Sequence, residues 1–260
     1  VSARGPRLAY STLGCPGDSL ERVITRCRAF GITGLELRCG PGEIVDPAAG
    51  LERSRHIGSI LREEGLTILA LCTRVRVCAK GDVPGEALPL FEHTRAVGAT
   101  GMRVFPGGDA DVDSSDARGS RTLAAIATEA TRRGCRVLLE THDSHPRGAD
   151  VARIIDRIPA PDRDEVGVIW DVLHPWRAGE EPADTAAALG GLLDYVQIKD
   201  WSSSAGLCLP GEGEVPLREI RSALGPAADD VWFSLEWEKA WEPDLPELDL
   251  ALERARSWLA

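Results

Sequence analysis

The sequence has seven cysteines, at positions 15, 27, 39, 72, 78, 135 and 208, and no CxxC pair among them. An odd, scattered set fits reduced thiols better than a disulfide framework. Positive charge is also short: 30 Lys and Arg face 41 Asp and Glu, for a net charge of −11. Nucleic-acid binding relies on clustered Lys and Arg, so that partner class is disfavoured. A small phosphorylated ligand, which one Arg or Lys could hold, is not excluded. No apolar run approaches membrane-spanning length, and the opening "VSARGPRLAYST" carries no apolar signal core. The expectation is a cytoplasmic protein with no membrane partner.

Two nucleotide-binding signals are missing. No G-x-G-x-x-G follows the first apolar run, where the text is "STLGCPGDS". The glycine-bearing stretch "LPGEGEVPL" (209–217) is not followed by Gly-Lys-Ser/Thr. That stretch reads either as a mobile substrate cover or as a plain turn.

What is present is an alternation within a chain that is 43% hydrophobic. Eight short apolar runs occupy 7–12, 34–39, 67–72, 102–106, 136–142, 166–172, 195–200 and 231–238. They are apolar nearly throughout, as strands buried on both faces should be. Helical periodicity fills the intervals. The segment 18–30 opens on an apparent capping Asp, 114–134 starts on serines and stops at a Gly, and 244–260 ends the chain. Eight strand–helix units in 260 residues predict one α/β domain over 1–260, a single (β/α)8 TIM barrel. An open doubly wound sheet is the alternative, weakened by the missing glycine fingerprint.

Chemistry in such a barrel collects at the C-terminal strand ends. Those ends carry Glu36, Arg103, Glu140 with His142, Asp171 with His174 just beyond, Gln197 with Lys199, and Glu236 with Glu238. Glu140, Asp171, Gln197 and Glu236 each sit within or at the end of an apolar run. One buried carboxylate without a partner is costly, and three side by side are untenable unless a cation balances them. Oxygen ligands from four consecutive strands would build a site for a hard cation. Taken singly, each residue reads equally as a helix cap or a salt-bridge member.

The motifs "LLETHD", "IWDVLH", "YVQIKD" and "SLEWE", in this order and spacing, resemble the metal-binding strand ends of the xylose isomerase-like TIM barrels. The resemblance spans nearly the whole chain. It implies one divalent metal held by Glu140, Asp171, the strand-7 position and Glu236. At strand 7 Gln197 stands where His is usual. Members resembling hydroxypyruvate isomerase also place Gln there. An all-oxygen set shifts preference toward Mn²⁺ or Mg²⁺, with Co²⁺ or Zn²⁺ still compatible. The resemblance further implies that Glu140 and Glu236 flank the substrate as base and acid, and that His174 holds a substrate oxygen.

The implied activity is a divalent-metal-dependent isomerase or epimerase of a small polyhydroxy carbonyl compound. It would abstract an α-proton through an enediolate. A dehydratase or lyase resembling inosose or dehydroshikimate dehydratase would use the same site. A sugar-binding barrel without turnover is the third reading. A repair nuclease would want a basic groove and more than the five histidines present. Lys199, Glu36, His142 and Arg103 complete the candidate substrate contacts. Each has a structural alternative: Lys199 in a pair with Asp200 or Glu238, Glu36 in a salt bridge with Arg38 or Arg103. Tryptophans 176, 201, 237 and 241 lie at or after strand ends and either wall a pocket or pack loops on the rim. Assembly into a homo-oligomer stays open.

Overall fold

Runs that are apolar on both faces must be covered on both faces, and the structure covers them with helices outside and side chains inside. The computed structural model describes residues 6–259; residues 1–5 and 260 of the expected domain lie outside them. The strands are β1 (Arg7–Ser11), β2 (Gly34–Arg38), β3 (Thr67–Arg76), β4 (Ala99–Phe105), β5 (Arg136–Glu140), β6 (Val166–Asp171) and β7 (Leu193–Ile198). A short hairpin of β8 (Asp200–Ser202) and β9 (Gly206–Cys208) follows, then β10 (Trp232–Leu235). Leaving out the hairpin, the strands close into a barrel in the order β1-β10-β7-β6-β5-β4-β3-β2. Every pairing around it is parallel.

The helices are α1 (Leu20–Phe30), α2 (Leu51–Glu63), α3 (Val83–Val97), α4 (Val112–Arg132), α5 (Gly148–Asp156), α6 (Leu173–Arg177), α7 (Pro182–Leu189), α8 (Leu217–Ala223) and α9 (Leu248–Leu259). They pack an apolar stripe onto the outer strand faces; in α1 the stripe is Val23, Ile24 and Cys27. Helices α2 and α3 approach closely because Gly58 has no side chain. A Cβ there would lie 2.4 Å from the Val97 carbonyl oxygen.

Inside the barrel the lower layer is apolar: Ala9, Ala70, Leu138, Ile169 and Tyr195 form a cluster separate from the outer core. Small residues (Ala9, Ala70) stand with large ones (Leu138, Ile169, Tyr195), so side chains from the strands fill the interior. Two residues further along the same strand faces, the apolar residues give way to polar ones. Leu138 is followed by Glu140, Ile169 by Asp171 and Tyr195 by Gln197, all buried. The floor of the barrel is therefore a packed core and its mouth is charged.

Several local expectations need correction. Ser19, not Asp18, caps α1 by accepting the Arg22 N–H, and Asp18 pairs with Arg22 and Arg26 instead. Asp111, not a serine, caps α4, by accepting the Ser114 N–H. Strand β3 runs past the apolar 67–72 to Arg76. The hairpin of β8 and β9 was not foreseen at all. The 209–217 stretch is hydrogen-bonded to the start of β8, just past the end of the seventh barrel strand. Asp200 accepts the N–H groups of Gly211 at 2.8 Å, Gly213 at 3.0 Å and Val215 at 3.2 Å.

A buried ion cluster fastens the α4–α5 side. Asp116 of α4 accepts from the His145 ring nitrogen at 2.9 Å and Arg153 Nε at 2.7 Å, with Arg157 at 3.1 Å. Burial alone would raise its carboxyl, but Arg153 and His145 outweigh that and hold it below the usual carboxylate range. The stability it contributes is thus present above the unfolded-state carboxylate pKa and is lost as pH falls through the lower folded one. Asp116→Ala should cost about 3 kcal/mol at neutral pH, read as a lowered urea midpoint, and the deficit relative to wild type should shrink in acid.

Candidate functional site

The polar mouth is built from strand ends that parallel pairing brings to one level. Asp171 stands opposite Gln197, and Gln197 opposite Ser234. Glu36 lies at the bottom of this layer and is fully buried. It accepts from Tyr195 Oη at 2.8 Å and Gln197 Nε2 at 2.9 Å, and from the Ser234 hydroxyl. Burial, then the charge of Glu236, raises its carboxyl above the ordinary value. Neither expected arginine reaches it. Arg38 pairs with Glu43 at 2.8 Å, and Arg103 pairs with Glu140 at 3.0 Å. Glu36 braces the floor through protein groups, and the structure does not place it on the cavity wall.

Above it, Glu140, Asp171 and Glu236 converge, with one carboxylate oxygen from each within 4.8 Å of the others. A buried ammonium stands among them. Lys199 Nζ lies 2.8 Å from Asp171 Oδ2 and 2.7 Å from Glu238 Oε1, and bonds Glu236 Oε2. The alternative partner Asp200 is occupied by the loop amides, so the pairing with Glu238 is the one observed. Burial would lower the Lys199 ammonium, but the three carboxylates, Asp171 foremost, raise it well above its ordinary value. The same attraction, outweighing burial, holds Asp171 below the carboxylate range.

Glu140 behaves oppositely. Burial pushes its carboxyl up to about 8, against Arg103 and with the help of Glu236. Four carboxylates, Glu140, Asp171, Glu236 and Glu238, face two cations, Arg103 and Lys199. The cage is short of positive charge, and a raised carboxyl is how such a shortage shows.

A divalent cation fits these residues. Two charges are left uncompensated. Asp171 Oδ2 receives no aligned hydrogen bond despite the nearby ammonium, and Gln197 Oε1 is buried without a partner. Gln197 gives its amide hydrogens to Glu36 and, at 3.2 Å, to Glu236. Two carboxylates require the NH₂ side, so the carbonyl oxygen is the atom left over.

A cavity of about 620 Å³ opens onto this mouth, and Glu140, Glu236, Arg103 and His142 all line it. His174, Lys199, Asp171 and Gln197 are not among the residues that line it. The His174 ring packs 4.3 Å from that of His142, and its Nε2 is 3.6 Å from Asp171 Oδ2. Burial lowers His174 to about 4, so it is a neutral imidazole. Glu140, His142 and His174 form a second trio within ligand reach of one another. Of the tryptophans, Trp241 lines the cavity, Trp237 is core, and Trp176 packs on Trp201.

Sequence reasoning missed three cavity residues as ligand contacts: Arg38, Arg74 and Arg76. The signal was there. The alternation of β3 continues through "CTRVR", placing Arg74 and Arg76 in phase with Cys72.

The sequence matches the xylose isomerase-like TIM barrel family over residues 24–260. The chain belongs to that family. A Streptomyces coelicolor protein named "Putative hydroxypyruvate isomerase" is 25% identical over 180 residues, which is 62% of this chain and 63% of that protein. The chain thus spans somewhat under two thirds of the curated relative it matches. Among solved structures, the probable 3-DHS dehydratase AsbF of Bacillus anthracis superposes with a TM-score of 0.78 at 16% identity, covering 96% of this chain and 98% of that one. A zinc-bound IOLI protein gives 0.78 at 16% identity over 96% and 95%. Sugar 3-epimerases are among the further matches of the same fold.

Removing the internal cation should expose how much the cage depends on it. Lys199→Met would leave Asp171 facing Glu236 without an ammonium between them. The metal-free variant should lose about 3 kcal/mol or more of unfolding free energy, measured by urea titration in the presence of a chelator.

Proposed function

We propose that this barrel is a divalent-metal-dependent isomerase or epimerase of a small polyhydroxy carbonyl compound. The observation that carries the reading is the convergence of Glu140, Asp171 and Glu236 within 4.8 Å beside a solvent-connected cavity. Those three carboxylates, with the unpartnered Gln197 Oε1, would hold the ion. Their all-oxygen character favours Mn²⁺ or Mg²⁺. When bound, the ion supplies Lewis-acid polarisation of the substrate carbonyl and stabilises the developing enediolate.

The chain's own residues then do the proton work. Glu140 and Glu236 both line the cavity, so each can reach a substrate carbon. One removes the α-proton, and the other returns a proton. Return to the opposite face of the same carbon gives an epimer, and return to the neighbouring carbon gives an isomer. Arg103, paired with Glu140 at 3.0 Å, fixes that carboxylate's direction. His174, neutral and next to Asp171, can donate or accept a hydrogen bond to a substrate oxygen. Lys199, held protonated, offsets negative charge as the enediolate forms. Glu36 acts through Gln197 by fixing its amide.

A dehydratase is the second reading, and one observation favours it. His142 lines the same cavity, and although burial would lower it, Asp143 and Glu140 raise its imidazole above the ordinary value. A protonated imidazole there could release a β-hydroxyl as water.

The test is exchange of solvent deuterium into a panel of ketoses, hydroxy-keto acids and inososes, with metal present and removed. Exchange should require Mn²⁺ or Mg²⁺, vanish with a chelator and return on adding the ion. Glu140→Gln and Glu236→Gln should each lower it by about a hundredfold or more. Exchange that survives both changes would sink the assignment of base and acid. An unsaturated product absorbing in the ultraviolet would select the dehydratase. Independently of activity, calorimetry on chelator-treated protein should show about one Mn²⁺ per chain, and Asp171→Asn should weaken it at least tenfold.

A further inference from the structure

Three arginines face the cavity that holds the proposed acid and base, and nothing in the chemistry above uses them. Arg38 ends β2; Arg74 and Arg76 stand on the tail of β3. Register shows why they gather. Cys72 pairs with Arg38 on one side and Arg103 on the other, so β3 reaches the level of the catalytic layer at Cys72. The β3–β4 register then shifts between Cys72 and Arg76, so that Arg76 stands opposite Phe105 at the end of β4, and both Arg74 and Arg76 line the cavity above the Cys72 level.

Two of the three carry charge without a carboxylate partner. Among the ion pairs of the described residues, Arg38 meets Glu43, while Arg74 and Arg76 meet no carboxylate within 4.0 Å. The Arg38 and Arg74 guanidinium groups sit 5.0 and 5.7 Å from the ring centre of Trp241, whose own side chain is 56% exposed. The shared indole thus keeps two like charges near each other. The Arg76 stem lies against Gly107, where a Cβ would fall 2.5 Å from it, so the arm is steered along the wall. Deeper in the cavity, buried Arg103 has an Nε with no hydrogen-bond partner. The acidic end of the cavity is thus at Glu140 and Glu236, and the basic end is at the β3 tail.

We infer that Arg38, Arg74 and Arg76 form an oxyanion subsite, and that the substrate carries a carboxylate or phosphate at the end remote from the reacting carbons. This rests on the reading of Glu140 and Glu236 as the proton-transfer pair. A neutral ketose offers these arginines only hydroxyls. An oxyanion offers the planar or tetrahedral acceptor set that guanidinium forks bind in pairs. The subsite would seat one end of the substrate and present the other to the carboxylates, and so decide which carbon loses its proton.

Calorimetry on chelator-treated protein tests this without turnover, using inorganic phosphate, D-glycerate and neutral dihydroxyacetone as probes. At least one anion should bind about tenfold or more tightly than dihydroxyacetone, and added salt should weaken it. The Arg74→Ala/Arg76→Ala double variant, altered only at exposed positions, should lose about tenfold or more of the anion affinity and leave dihydroxyacetone unchanged. Phosphate as the tighter probe identifies a phosphate ester, and glycerate identifies a hydroxy acid. Equal binding of anions and dihydroxyacetone, no anion binding at all, or full anion affinity in the double variant would each overturn the subsite. Failure here with metal-dependent deuterium exchange intact would leave the proton chemistry standing on a neutral substrate. Anion binding without any exchange would leave the subsite and remove the proton chemistry.

Discussion

The mouth of this barrel is organised around a shortage of positive charge. Glu140, Asp171, Glu236 and Glu238 come together because parallel strands deliver their ends to one level, and only Lys199 and Arg103 answer them from within the cage. Burial makes each unpaired carboxylate costly, so the cage must be completed by a bound cation, by proton uptake or by both. The lower layer helps by being buried and mostly apolar, its one polar group, the Tyr195 hydroxyl, being spent on Glu36, which keeps water away from these groups from below. The upper side opens onto the cavity, and that is the direction from which compensation can come.

Lys199 gives this arrangement a double character. An ammonium paired with Asp171 and bonded to Glu236 is a stand-in for part of the charge a dication would bring, so the cage can fold before any ion arrives. A dication entering the same cluster would have to share those oxygens with the lysine or displace it toward Glu238, which already holds it at 2.7 Å. Glu238 is half-buried at the rim and offers the ammonium a place to go. Gln197 with Lys199, and Glu236 with Glu238, each at i and i+2, project into the same mouth, and that is what makes the exchange geometrically available.

Much of this was legible in the residues. The eight apolar runs all became barrel strands, because they are short, rich in β-branched residues and separated by helical segments, as strands covered on both faces are. The carboxylates at the ends of β5, β6 and the last barrel strand met as expected, because strand ends of a closed parallel barrel share one rim. Caps were less legible. Asp18 and Ser19 are both competent, and the choice depended on where Arg26 came to lie, a tertiary fact. Glu36 looked like a substrate ligand because it ends an apolar run, but three donors from β7 and β10 claim it, and register alone decides that. The arginines of β3 were overlooked because an apolar run was taken to end where charge began. Strand β3 instead continues through a register shift and keeps pairing with β4 as far as Arg76 and Phe105, which carries its charged tail onto the cavity.

The Asp200 clamp has a mechanical corollary. Residues 199 and 200 are adjacent in the chain and point apart, one ammonium into the charged cage and one carboxylate onto the backbone of 211–215. A loop fastened by three amides to the neighbour of Lys199 cannot swing out alone. Lifting it would have to break those three hydrogen bonds or pull on the residue next to the ammonium, which ties the rim on that side to the centre by a single peptide.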